Sequence, residues 1–258
     1  MRKIAIQLRS LRLPFKQALH VAKQLGASAV EVDARGDIKP NELSETGLRQ
    51  LRKLLDDLGL SVAAVGFRTR RGYDASDDLQ RRVEATKQAL AFARSLRAAV
   101  LVNQVGRVPA KPEGQAWHNL VQALSDLGAY GQHVGVMLAA ETGSESGPDL
   151  KRLIAALPAG SLAATLNPGN LIVNGFSPLE AIEALGPDIQ YVHAKDGVRD
   201  LAQGRGVEVP LGRGSADFPA LMGALEEHAY RGYWCVEREQ ASNPVEEIGQ
   251  AVQFLQSL

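Results

Sequence analysis

Eight short apolar runs, each of strand length and each followed by room for a helix, set the tightest limit on what this chain can fold into. They read KIAIQL, SAVEVD, SVAAVGF, AAVLVNQ, VMLAAE, LAATLN, IQYVHA and YWCVE. Amphipathic stretches separate them. Asn41–Leu58 carries Leu48, Leu51, Leu54 and Leu55 on one stripe, and Asp77–Leu96, Asp217–His228 and Glu246–Leu255 read the same way. Strands alternating with helices imply right-handed βαβ units and a parallel sheet. Eight such units without a Gly/Pro-rich linker predict an α/β fold, a closed (β/α)8 TIM barrel, as one domain over residues 1–258.

Alternation within the runs says which side chains enter the barrel. Tyr191, His193 and Lys195 share one face, opposite Val192 and Ala194. Ala163, Thr165 and Asn167 form a face of small residues suited to a crowded interior, and Met137, Ala139 and Glu141 line up in the same sense. Glu31 and Asp33 oppose Val30 and Val32, which sends the acids to the barrel mouth. Barrel enzymes build their sites at the carboxyl ends of the strands, and these polar residues fall there.

Four of those strand ends deliver Glu141, Asn167, His193 and Glu237. Two carboxylates, an imidazole and an amide oxygen suit a divalent cation such as Mn²⁺, Mg²⁺, Co²⁺ or Zn²⁺. A cation held there could take adjacent carbonyl and hydroxyl oxygens of a substrate, with the two glutamates on opposite sides as acid and base. Around this set, Lys195, Arg68, Glu31 and Glu239 are the expected substrate-binding residues. Lys195 is placed either on a substrate anion or in a rim salt bridge with Glu239 or Glu208. Arg68, Arg70 and Arg71 follow the third strand in a loop of a kind that suits anion recognition. Asp196 points outward as a structural residue, Ser215 or Asp217 caps a helix, and the sequences Gly204-Arg205-Gly206 and Gly212-Arg213-Gly214 are weak phosphate cradles on their own.

The 258 residues balance 29 basic against 29 acidic groups, which removes the basic footprint of a nucleic-acid-binding protein. Cys235 is the single cysteine, so there is no disulfide framework and a reducing, cytoplasmic setting is expected. The opening residues MRKIAIQLRS enter a strand without the apolar core of a signal peptide, and no run reaches the ~20 apolar residues of a membrane span. The expected partner is a small carbohydrate, not a membrane or nucleic acid. A homo-oligomer is compatible with all of this.

Glu141, the Asn167-Pro168-Gly169-Asn170 turn, Tyr191–Asp196, Val209–Leu221 and GYWCVERE together resemble the xylose isomerase-like TIM-barrel superfamily of sugar phosphate isomerases and epimerases. The resemblance runs over essentially the whole chain. It implies a metal site at Glu141, Asn167, His193 and Glu237, with both glutamates as the acid–base pair acting on a ketose or keto-sugar through an enediolate. It also favours Glu237 over Glu239 as the ligand. Two departures stand out: Asn167 replaces the family's Asp, and no His follows it. A dehydratase or lyase acting on a keto-polyol or keto-glycoside uses the same cation and base, and is the alternative within the fold. A non-catalytic sugar-binding barrel is the alternative outside enzymes. The superfamily's endonuclease branch needs a larger zinc cluster and a basic surface, which this chain lacks.

Overall fold

Ile4–Gln7 (β1), Ala29–Asp33 (β2), Ser61–Gly66 (β3), Val100–Asn103 (β4), Met137–Glu141 (β5), Ala163–Leu166 (β6), Ile189–Ala194 (β7) and Trp234–Val236 (β10) close into a parallel barrel. The neighbour order is β1-β10-β7-β6-β5-β4-β3-β2, and β2 returns to β1 through the register Gln7↔Glu31. This is a computed structural model, and it describes residues 2–200 and 205–258. All eight strands expected from the sequence are present, and the (β/α)8 architecture is confirmed.

The alternation sets two layers of packing. Ala5, Ala29, Ala139, Ala163 and Cys235 point into the barrel, and their small side chains leave room there for Tyr191. Ile4, Ile6, Val30, Val32, Leu138, Leu166, Val192 and Trp234 face the helices and form the larger apolar layer. The helices that cover them are Phe15–Gln24 (α1), Glu45–Leu58 (α2), Leu79–Ser95 (α3), Gly114–Val134 (α4), Gly147–Ala155 (α5), Pro168–Val173 (α6), Pro178–Leu185 (α7), Phe218–Glu227 (α8) and Pro244–Ser257 (α9). None of the described helices is long and apolar enough to cross a membrane.

Two local features differ from expectation. The residues after β6, read as a turn, form α6: Pro168 stands at its first position, and Asn167 caps it by accepting from the Asn170 amide at 3.0 Å. Beyond β7, Asp196–Asp200 (β8) and Arg205–Val209 (β9) pair as an antiparallel hairpin at the mouth. The Gly204 end of the first GRG sequence lies outside the described residues. Of the two candidate caps for α8, Asp217 serves, accepting from Ala220 N at 3.0 Å.

Candidate active site

At the carboxyl end of the barrel the inward positions change from alanine to polar groups. Gln7, Glu31, Glu141, Thr165, Asn167, His193 and Glu237 are all buried there, at 5% exposure or less. Buried charges survive only when paired and hydrogen-bonded, and here they form one network. His193 is its centre. Its Nδ1 lies 2.8 Å from Glu141 Oε1 and 3.2 Å from Glu237 Oε2, and its Nε2 lies 2.7 Å from Glu31 Oε2. Ionised carboxylates only accept, so both ring nitrogens donate to them and the ring is an imidazolium. Burial works against that charge, but Glu31 and Glu237, with hydrogen bonds to Glu141 and Glu31, overcome it and raise the His193 pKa well above the ordinary value.

Glu31 was expected to meet substrate. It sits instead behind His193, 3% exposed, with its other oxygen accepting from Gln7 Nε2 at 3.0 Å; the Ser10 hydroxyl in turn donates to Gln7 at 2.7 Å. The register Gln7↔Glu31 on adjacent strands places it there. This contact occupies the Nε2 side of His193 and leaves Nδ1 aimed at the two glutamates.

Asn167 also departs from expectation. Its Oδ1 is used as the α6 cap, and its Nδ2 donates to Glu141 Oε1 at 2.9 Å and Glu237 Oε2 at 2.8 Å. Turning the amide over would set an NH₂ against the Asn170 N–H and an oxygen against two carboxylates, so the surrounding groups permit one orientation. The side chain therefore presents a donor, not an oxygen ligand, to the glutamates.

Cations surround the remaining carboxylate oxygens. Arg68 reaches Glu237 at 2.6 Å and Glu239 at 2.5 Å, with Glu141 at 3.7 Å. Lys195, one residue past β7, lies 2.9 Å from Glu239, 3.4 Å from Glu208 and 3.6 Å from Glu237. Lys195 thus makes the ion pairs with Glu239 and Glu208 that are one of its two expected placements, the other being a substrate anion. Glu239, at the rim, is shared between Arg68, Lys195 and Arg9. Burial alone would raise the Glu141 and Glu237 pKa values. His193 and Arg68 act on both, Asn167 on Glu141 and Lys195 on Glu237, and together they hold both carboxyls below the usual range.

Glu141, His193 and Glu237 offer one ligand atom each within 4.8 Å of one another, a compact O/N/O set that fits a divalent cation. Glu31, His193 and Cys235 also meet that distance, but burial and then Glu31 push the Cys235 thiol up, away from the thiolate a metal needs. A cleft of about 420 Å³ opens over Glu141, Arg68 and Glu239, with Gln104, Ser144, Asn170, Arg70 and Arg107 around it. Gln104 donates to Glu141 Oε2 at 3.1 Å. Arg107 and Ser144 were not singled out from the sequence, where each is one polar residue in a loop among many.

Comparison with known proteins agrees with this architecture. An inosose dehydratase of Lacticaseibacillus casei is 24% identical over 159 residues, covering 54% of this chain. The chain spans about half the length of that relative, 53%. The crystal structure of a xylose isomerase domain protein from Planctomyces limnophilus superposes with a TM-score of 0.87 at 22% identity, over 99% of this chain and 96% of the other. An L-ribulose 3-epimerase structure does so with a TM-score of 0.77 at 18% identity, over 100% and 94%. Residues 19–258 match the family described as xylose isomerase-like TIM barrel, and the chain belongs to that family.

Proposed function

We propose that this barrel is a divalent-cation-dependent isomerase or epimerase of ketoses or keto-sugars, with Glu141 and Glu237 as its proton-transfer pair. The observation that carries the reading is the convergence of two buried carboxylates and one imidazole nitrogen below a polar cleft. Glu141, His193 and Glu237 would hold the cation. It would polarise a substrate carbonyl and offset the negative charge that appears on the substrate oxygens when a neighbouring C–H is deprotonated.

The protein groups do the rest. One glutamate, ionised, takes the proton from one face of the substrate carbon. The other, carrying a proton, returns one to the opposite face, and the pair ends with its protonation reversed. Glu31 keeps a proton on His193 Nε2, so the ring, on giving up its Nδ1 proton, would offer the cation a lone pair there. Asn167 Nδ2 keeps the glutamates from rotating apart. Arg68 and Lys195 carry charge that a substrate oxygen can share.

A dehydratase is the second reading, favoured by the inosose dehydratase among the relatives. The same base would take the proton, and the Lys195 ammonium, 3.6 Å from Glu237, would protonate a departing β-hydroxyl, which leaves as water.

Calorimetric titration with Mn²⁺ tests the site, and solvent-deuterium exchange over a ketose panel followed by NMR tests the chemistry. Tight Mn²⁺ binding is expected in the wild type and in His118→Ala, and at least a hundredfold weaker binding in Glu141→Ala. Equal affinity in Glu141→Ala rejects the site. Deuterium incorporation with C-epimer formation supports the first reading; incorporation coupled to loss of water supports the second.

A further inference from the structure

We infer that the outer wall of the cleft is an anion subsite, formed by Arg70 and Arg107, and that the substrate is a keto-sugar carrying a carboxylate or phosphate. This rests on the keto-sugar reading above and narrows its substrate class.

The cleft is lined by charges of both signs. Its floor holds Glu141, and Arg68 beside it is committed to Glu237 and Glu239. Arg70 and Arg107 also line it, from the loops after β3 and β4, and neither makes an ion pair with an acid among the described residues. Thr142, Ser144, Asn170 and Asn174, which also line it, are neutral and hydrogen-bonding. A ligand filling the cleft therefore meets hydroxyl-binding groups together with two guanidinium groups at exposed positions. Guanidinium forks suit carboxylate and phosphate oxygens better than they suit hydroxyls.

The two arginines are held together by the backbone. Gly72 and Gly106 touch: a Cβ on Gly72 would lie 2.0 Å from Gly106 Cα, and one on Gly106 would lie 2.8 Å from Gly72 Cα and 2.1 Å from Asp74 Oδ1. Gly106 has φ +114°, a conformation that side chains resist. The Tyr73 amide donates to Val105 O at 2.7 Å across the same junction, and the buried Tyr73 hydroxyl meets Thr86 Oγ1 at 2.7 Å. The two loops are thus stitched at residues 72–73 and 105–106, which fixes the bases of Arg70 and Arg107 beside one another.

The test compares ligands that differ in charge: D-fructose, D-fructose 6-phosphate and 5-keto-D-gluconate, titrated by calorimetry into Mn²⁺-loaded and into metal-free protein. The variants are Arg70→Ala/Arg107→Ala and Arg70→Lys/Arg107→Lys, with circular dichroism confirming the fold; both positions are exposed, so folding should be kept. The wild type should bind one of the anionic sugars at least tenfold more tightly than D-fructose, and which one identifies the group. The alanine pair should bring that preference to within about threefold, and the lysine pair should restore part of it. D-fructose binding as tightly as both anions, or an undiminished preference in the alanine pair, overturns the subsite. Absent Mn²⁺ binding with anion preference intact on the metal-free protein overturns the cation reading and leaves the subsite standing.

Discussion

Asn167 holds two positions at once: it ends an inward-facing strand register and it caps a helix. Its strand parity places it with Ala163 and Thr165, and its place before Pro168-Gly169 makes it a cap; both could be read from the sequence. The sequence could not show which amide atom turns inward, because that depends on the Asn170 amide that Oδ1 must satisfy. Replacing Nδ2 by oxygen in Asn167→Asp keeps the cap, since Asp caps as well as Asn. It also removes two hydrogen bonds to Glu141 and Glu237 and adds a third carboxylate beside them. The expected result is Mn²⁺ affinity raised at least tenfold by calorimetry. In the metal-free protein the buried repulsion should lower stability by about 1–3 kcal/mol in urea unfolding. A titration that overlays the wild-type curve would contradict the inward placement of this side chain.

Secondary-structure elements were legible where apolar periodicity was strong and illegible where backbone geometry was satisfied by one polar side chain. All eight barrel strands and α2, α3, α8 and α9 carry enough apolar residues to announce themselves. The β8–β9 hairpin does not, since Asp196–Asp200 reads DGVRD and Arg205–Val209 reads RGVEV. What organises that region is Asp196, 1% exposed. Its carboxylate accepts from Gly197 N at 2.8 Å, Gly212 N at 3.0 Å, Gly214 N at 2.8 Å and Ala216 N at 3.1 Å. A Cβ on Gly214 would sit 2.1 Å from Asp196 Oδ1, so the Gly212-Arg213-Gly214 loop wraps a carboxylate of the chain itself and is no cradle for a phosphate. Through the hairpin this anchor also sets Glu208, which meets Lys195 and Arg238. Asp196→Ala orphans four amides at once, and charge-assisted bonds of this kind are costly to lose. It should lower unfolding stability by about 3 kcal/mol or more, and Lys195-dependent substrate affinity should fall with it. A thermal midpoint within 2 °C of the wild type would show the anchor to be dispensable.

Across the whole molecule, a net charge of zero hides an uneven placement of buried acids. Sequence patterning located the acids of the barrel mouth, because strand parity sends them inward. It was silent on Glu145, in the segment between β5 and α5, because no periodic element holds that residue. Glu145 is 5% exposed and takes hydrogen bonds from the Ser144 hydroxyl and the Val108 amide, with no cation paired to it among the described residues. Burial is the main influence on its carboxyl and outweighs those two bonds; Asp149 adds to it, and the pKa rises to about 7. The folded value therefore lies above the unfolded one. The stabilisation from keeping the proton is complete below the unfolded pKa near 4.5 and disappears as pH rises through about 7. Glu145→Gln offers a similar shape and acceptor without the charge, so it should match the wild type near pH 4.5 and become the more stable protein at pH 8. The gap at pH 8 should approach about 3 kcal/mol, or several degrees in thermal midpoint. The measurement is paired urea unfolding of the two proteins at pH 4.5, 6 and 8 in the absence of metal. A stability difference that stays constant over that range would mean that Glu145 ionises in the fold as readily as in the open chain.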